Sequence, residues 1–323
     1  MSNQFVILCG MTALLLMPLG TRCPAQGTAV KNGNSIAFMG DSITKQAWDS
    51  ANGHWGWNSP VGHIHLVMDA LEANGTKATA IPSGRSGQTY RAMLERLQRD
   101  VLDQKPTWMT LSCGVNDLGM LLDGGEGVAL PEFKTNVTAI VTQAQAAGIK
   151  VMLLTVTPIY EEQPNNKYEL PLVGYNDFLR ALAKEKKCLL VDLNAGMLVR
   201  RAELVKATGN QGRQVTADGV HMNPEGSMVT ATAILRAFGF TPAQLVRARE
   251  AWLDIPGAVQ LPGQLQSVSM RQLEQLQKLA DQRECRLDVL VSETFSAAIH
   301  QLLKSSNSEK RSIPRITKGN TPL

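Results

Sequence analysis

A serine, an aspartate and a histidine have the types and spacing that nucleophilic catalysis needs. Ser42 follows an apolar run, at a point where a strand hands over to a loop or helix and can expose a hydroxyl. Asp218 and His221 are three residues apart on a predicted turn. The carboxylate can hold one ring nitrogen of the histidine while the other nitrogen faces Ser42. A serine hydroxyl is a weak nucleophile and needs such a base.

The other four histidines are poorer candidates for that base. His63 and His65 are two residues apart in a predicted helix, so their side chains point in different directions. His54 lies in a predicted loop, and His300 lies in the C-terminal part of the chain. Only His221 has a carboxylate three residues away on a turn.

Three N–H groups are candidate donors to the oxyanion of an acyl-transfer reaction. They are the backbone N–H of Ser42, the backbone N–H of Gly87 and the side-chain amide of Asn116. Plainer interpretations stay open, since Asn116 can cap a loop and Asp218 can cap a turn.

Short apolar runs alternate with helical patterns over residues 34–239, which predicts an α/β fold with a parallel sheet between two helical layers. The predicted strands are 35–39, 78–82, 108–112, 151–157 and 189–193, and the predicted helices are 61–73, 90–102, 131–147, 172–186 and 224–238. A long loop is predicted after the first strand. Ligands of such sheets bind beyond the carboxyl ends of the strands, where the polar motifs of this chain lie.

Residues 34–239 resemble the SGNH hydrolases, also called GDSL-type esterases and lipases. The segments that match the motif blocks of the family are 38–44, 86–89, 114–117 and 218–221. The resemblance implies a flavodoxin-like, doubly wound five-stranded parallel sheet. It also implies a role for each matched residue: Ser42 as nucleophile, Gly87 and Asn116 as oxyanion donors, Asp218 as orienter and His221 as base.

Two positions depart from the family pattern. Pro82 or Ser83 replaces the asparagine that often opens the second block, and Gln88 stands where aspartate is frequent. Neither departure changes a catalytic atom. Segments 151–158, 175–176 and 189–192 also look like the bacterial subgroup that contains carbohydrate acetylesterases.

Four residues are candidate substrate-binding groups. Trp55 and Trp57 lie in a glycine-containing loop, where their rings suit a sugar or anchor the loop itself. Arg85 suits a carboxylate or a sugar hydroxyl, with a solvated arginine as the alternative. Asp41, beside the nucleophile, is the fourth.

The sequence therefore predicts a serine esterase acting on a small O-acyl ester, with an O-acetylated carbohydrate as the expected substrate. The alternatives within the class are a lipase, a lysophospholipase or a thioesterase. The alternatives outside it are a non-catalytic carbohydrate- or lipid-binding protein and an interaction protein defined by its C-terminal part. No cofactor and no metal site are predicted.

Residues 1–25 have the pattern of a leader. Residues 5–19 are apolar, too few for a comfortable membrane span, and small residues follow. No Lys or Arg precedes the apolar run, so an uncleaved anchor and a buried helix remain alternatives. Arg22 before Cys23 argues against a lipoprotein. A secretory signal predicts a secreted or periplasmic protein whose mature chain begins near Gln26 or Val30 and has no membrane span.

Cys113, Cys188 and Cys285 remain after the leader, and no pair of them has metal-ligand spacing. Buried free thiols are the expected state, with a disulfide as the alternative.

The distribution of charge and the sequence pattern divide the rest of the chain into a hydrolase domain, a helical appendage and a basic tail. Residues 304–323 carry a net charge of +4 and predict a disordered tail, whereas the remaining chain has 27 basic and 27 acidic residues. A neutral body argues against nucleic acid as a partner. Residues 30–240 form the predicted hydrolase domain, and 241–303 form a helical appendage. That appendage is read as a hairpin on the core or on a second subunit, with a ribbon-helix-helix DNA-binding module as the alternative.

Overall fold

Five parallel strands form the centre of the computed structural model, which describes residues 28–49, 61–255, 259–260 and 267–311. The strands are β1 (Ser35–Gly40), β2 (Thr79–Gly84), β3 (Trp108–Ser112), β4 (Lys150–Leu154) and β5 (Leu189–Val191). Their order across the sheet is β2-β1-β3-β4-β5. This is the flavodoxin-like order expected above, and its switch point lies between β1 and β3, where ligands of such sheets bind.

Burial explains which runs become central strands. β1 and β3 are buried along almost their whole length, as continuous apolar runs in parallel sheets are. β2 is half exposed and contains Pro82, which fits an edge strand because proline cannot donate to a ladder. The predicted strands 151–157 and 189–193 run too far, since β4 ends at Leu154 and β5 at Val191.

Helices cover both faces of the sheet. The helices up to residue 253 are α1 (Ser42–Asp49), α2 (His63–Ala73), α3 (Tyr90–Asp100), α4 (Val115–Leu122), α5 (Leu130–Ala146), α6 (Glu169–Glu185), α7 (Leu193–Thr208), α8 (Pro224–Ala237) and α9 (Pro242–Leu253). α5 packs on both α3 and α6, while α2 and α7 both pack on α8. Phe133 of α5 fills the first layer, with its ring centroid 4.9 Å from Tyr90 and 4.6 Å from Tyr175.

Three helices were absent from the sequence-based expectation. α1 occupies part of the segment predicted as a long loop, and α4 and α7 follow β3 and β5 directly. α1 and α4 are only eight residues long, too short for a clear helical period. For α7 the missed signal is Asp192, whose side chain accepts the N–H of Ala195 as an N-cap.

The C-terminal part contains two helices and a small ribbon. They are α10 (Met270–Gln282), α11 (Leu287–Arg311), β6 (Val259–Gln260) and β7 (Ser267–Val268). Arg271 of α10 forms ion pairs with Glu250 and Asp254 at the end of α9. α11 extends to Arg311, so residues 304–311, expected in the disordered tail, continue the helix. The leader and residues 312–323 lie outside the described residues.

Cys113, Cys188 and Cys285 are free thiols, and Cys113 is buried. Among the helices of the described part of the chain, none has both the length and the apolar character that crossing a membrane requires.

Candidate active site

Ser42, His221 and Asp218 meet at the carboxyl end of β1. Ser42 is the first residue of α1, and the other two lie in the loop between α7 and α8. The Ser42 hydroxyl is 2.9 Å from His221 Nε2. On the other side of the ring, His221 Nδ1 is 2.7 Å from Asp218 Oδ2. The three side chains form one continuous hydrogen-bonded chain.

The turn that carries Asp218 and His221 is closed by the Asp218 carboxylate. Its Oδ1 accepts the backbone N–H of Val220 at 2.9 Å and of His221 at 2.7 Å. Gly219 has a φ of +98°, and a Cβ there would lie 2.3 Å from the Tyr160 ring, so only glycine fits. Asp218 thus uses one oxygen to fix the backbone and the other to orient the imidazole.

The charge states follow from these contacts. Burial would raise the pKa of Asp218, but hydrogen bonds from the His221 ring and from the backbone of His221 and Val220 lower it to about 2. The hydrogen bond to Asp218 raises the pKa of His221, burial opposes it, and the charges of Asp218 and Asp41 raise the pKa further. At neutral pH an ionised Asp218 favours the tautomer with a proton on Nδ1. His221 Nε2 then faces the Ser42 hydroxyl as an acceptor.

The three predicted oxyanion donors, Ser42, Gly87 and Asn116, lie on connections that follow β1, β2 and β3. Within the described part of the chain, the backbone N–H groups of Ser42 and Gly87 donate no hydrogen bond to a protein acceptor. Gly87 has a φ of +73° and open space around its Cα, so backbone conformation and not crowding favours glycine. Asn116, in the first turn of α4, donates one amide hydrogen to Gln88 O at 2.9 Å. That hydrogen bond uses one of the two amide hydrogens of Asn116.

Asn116→Ala is expected to lower kcat by about 10²–10³-fold with little change in KM, because one oxyanion donor is lost. Steady-state kinetics on a short-chain ester will measure it. Asn116→Asp, which keeps the side-chain shape but loses both amide hydrogens, should lose activity as well. A change below about twofold in both variants would leave Asn116 with only its hydrogen bond to Gln88.

Two buried carboxyl groups lie beneath the site. Asp41 is 2% exposed and accepts the N–H of Ile43 at 2.9 Å. Asp117 is fully buried and accepts the N–H of Tyr90 at 3.0 Å. Burial raises the pKa of Asp41 to about 6 and that of Asp117 to about 7. Asp41 was predicted to bind substrate; in the structure its carboxylate is enclosed at the start of α1, where it caps the helix by accepting the N–H of Ile43.

Arg96 connects the strand ends around the site and was not among the residues predicted from the sequence. Its guanidinium donates to Gly40 O at 2.8 Å, to Ser83 O at 2.9 Å, to Gln88 Oε1 at 3.0 Å and to Asp100 Oδ2 at 2.9 Å. It therefore ties β1 and β2 to the connection that carries Gly87. The available signal was an arginine on the apolar face of a predicted helix.

The remaining substrate-binding candidates are placed as follows. Arg85 is half exposed, and its guanidinium lies 3.0 Å from Asp100, an ion pair at the outer edge of β2. Trp55 and Trp57 lie outside the described residues. The nearby Trp48 ring stacks on His65 with a centroid distance of 4.9 Å.

Comparison with known proteins gives consistent results. The sequence matches the model of the GDSL-like lipase/acylhydrolase family over residues 38–229. An acetylxylan esterase of Geobacillus stearothermophilus is 27% identical over 68% of this chain and 99% of the relative. The uncharacterized lipoprotein YqeF of Bacillus subtilis is 30% identical over 72% of this chain and 96% of its own length.

The structure of the same acetylxylan esterase, Axe2, superposes with a TM-score of 0.54 at 25% identity. The superposition covers 66% of this chain and 97% of Axe2. Two alanine variants of Axe2, one at a serine and one at a histidine, are described as catalytic mutants.

Proposed function

This chain belongs to the GDSL-like lipase/acylhydrolase family and is a carboxylic ester hydrolase, and on that premise we propose a serine mechanism centred on Ser42. The observation that carries the proposal is the chain of hydrogen bonds from the Ser42 hydroxyl through His221 to Asp218, at 2.9 and 2.7 Å. A non-catalytic binding protein would have no need for this arrangement.

The proposed reaction has two halves. His221 Nε2 takes the hydroxyl proton as Ser42 Oγ attacks the ester carbonyl, and the N–H groups of Ser42, Gly87 and Asn116 receive the oxyanion. The C–O bond to the alcohol breaks, and His221 returns the proton to the leaving alcohol. Water, activated by the same histidine, then attacks the acyl-enzyme and releases the acid and free Ser42.

We propose an O-acetylated carbohydrate as the substrate. The support is the likeness to an acetylxylan esterase in both sequence and structure. No observation on this chain favours the lipase, lysophospholipase or thioesterase alternatives.

The test is a series of p-nitrophenyl esters from acetyl to palmitoyl, followed by acetate release from acetylated xylo-oligosaccharides. The value of kcat/KM should be highest for acetyl and fall with chain length, and Ser42→Ala should remove both activities. Highest activity on the palmitoyl ester would replace the carbohydrate substrate with a lipid one.

We also propose that the protein is exported, as the leader pattern and the lipoprotein relative both support. The mature chain is then expected to begin near Gln26 or Val30. Intact-mass measurement of the native protein tests this, and a mass that includes Met1 would contradict cleavage.

A further inference from the structure

A buried glutamate after β4 holds the segment that leads into the Asp218–His221 turn. The side chain of Glu161 has no solvent-exposed surface. Its Oε1 accepts the backbone N–H of Gln214, Val215 and Thr216 at 3.2, 2.8 and 2.7 Å. The hydroxyl of Thr216 adds a fourth hydrogen bond at 2.9 Å. One carboxylate oxygen thus accepts hydrogen bonds from three consecutive peptide groups.

This segment is directly joined to the catalytic turn. Thr216 forms an isolated antiparallel bridge with Met222, and Ala217 N donates to His221 O at 2.8 Å. The backbone on both sides of Asp218 is therefore fixed relative to residues 214–216. A shift of that segment would move Asp218 and His221 relative to Ser42.

The neighbour of Glu161 contacts the turn itself. Tyr160 N donates to Gly219 O at 2.7 Å, and the Tyr160 ring fills the space that a Cβ of Gly219 would occupy. The two adjacent residues therefore hold the loop at two points, one before Asp218 and one within its turn.

Charge makes the Glu161 contact strong. A carboxylate that accepts backbone N–H groups in a buried setting forms hydrogen bonds about twice as strong as neutral ones. Arg201 Nε lies 3.6 Å from Oε2, too far for a good hydrogen bond but close enough for charge attraction. Glu161 lines a cavity of about 290 Å³ between α6 and α7. Its buried Oε2 has no hydrogen-bond partner in the described part of the chain.

We propose that Glu161 is a positioning residue that sets the geometry of the Asp218–His221 pair and, through it, the ability of His221 to accept a proton. The consequence for catalysis rests on the proposed serine mechanism. The effect on the histidine itself does not, because the hydrogen bond to Asp218 exists with or without substrate.

The primary test is an NMR titration of the His221 ring, which needs no esterase activity. Glu161→Ala should lower the pKa of His221 by about 0.5 unit or more, because a loosened loop weakens its hydrogen bond to Asp218. Glu161→Gln keeps an oxygen acceptor for the peptide N–H groups but loses the charge, so the pKa of His221 in this variant should lie between the values of Glu161→Ala and the wild type. Glu169→Ala is the matched control, since Glu169 borders the same cavity but is exposed.

Steady-state kinetics provide a second test of the role of Glu161. Glu161→Ala should lower kcat by about 10-fold or more with KM nearly constant, because a displaced base acts in the chemical step. The acid limb of the rate profile should move to lower pH together with the pKa of His221. Thr216→Val, which removes one donor to Oε1 without changing shape, should act in the same direction and carries the test if Glu161→Ala does not fold.

An unchanged pKa of His221 in Glu161→Ala, or in Thr216→Val where the alanine variant does not fold, would overturn the proposal. A lower melting temperature with a wild-type acid limb would do the same, since it marks a purely structural role. Absence of esterase activity in the wild-type protein would count against the serine mechanism alone, because the titration remains interpretable.

Discussion

Ser42→Ala should abolish esterase activity, lowering kcat by at least about 10⁴-fold, while the protein keeps its fold. In the proposed mechanism the hydroxyl attacks the carbonyl, and the donors that remain in the variant can stabilise an oxyanion but cannot form an acyl-enzyme. Ser42 is partly exposed at the start of α1, so little packing is lost. Initial rates on p-nitrophenyl acetate, with a melting curve for each variant, will measure the effect.

Ser292→Ala is the matched control, because Ser292 is an exposed serine of α11, outside residues 38–229 that match the family model. It should keep wild-type rates. A serine-reactive fluorophosphonate should label the wild type and the control but not Ser42→Ala. Full activity in Ser42→Ala with a normal melting curve would remove Ser42 from the mechanism.

Asp218→Asn should lower the maximal rate by about 10³–10⁴-fold and move the acid limb of the rate profile to lower pH. The amide oxygen can still accept the N–H groups of Val220 and His221, so the turn is retained. The amide nitrogen then faces His221 Nδ1 and donates to it. This favours the tautomer with a proton on Nε2, which cannot accept the proton of Ser42.

The direction of the pH shift follows from the contribution of Asp218 to His221. The proposed mechanism requires neutral His221, so activity should fall as the pH drops through the pKa of His221. Asp218 raises that pKa, so its replacement lowers the pKa and extends the neutral form to more acidic solutions. Full pH–rate profiles of both proteins test this, with the exposed Asp281→Asn as the control. If Asp218→Asn kept the acid limb of the wild type and most of its rate, the role of Asp218 would be limited to stabilising the turn.

The sequence predicted the sheet and the catalytic candidates because both have local signals. β3 was predicted to the residue and β1 to within one, since buried parallel strands are continuous apolar runs. The turn residues were identifiable because an acid and a histidine three apart need only short-range geometry. The predicted helix 224–238 does begin at Pro224, the first residue of α8, with Asn223 as its N-cap.

The residues that position the site had no such signal. Arg96 donates hydrogen bonds to the backbone oxygens of Gly40 and Ser83. Glu161 accepts hydrogen bonds from peptide groups more than 50 residues away in the chain. Their partners are backbone groups, which every sequence contains, so residue type alone does not reveal the contact. The cap formed by Asp41 was likewise not predicted, because a polar residue beside Ser42 gives no sign in the sequence that it accepts the N–H of Ile43.

Ser42 and His221 are 179 residues apart in the chain, although their side chains are 2.9 Å apart. One lies at the first strand of the sheet and the other after the last, so no local folding unit contains both. A partly unfolded molecule that has released either end of the domain has no base for its serine, even where most of its secondary structure survives. On heating or in denaturant, activity should therefore be lost when the less stable of these two regions unfolds, even if the helical content is still high. Esterase activity should therefore report whether both ends of the domain are folded.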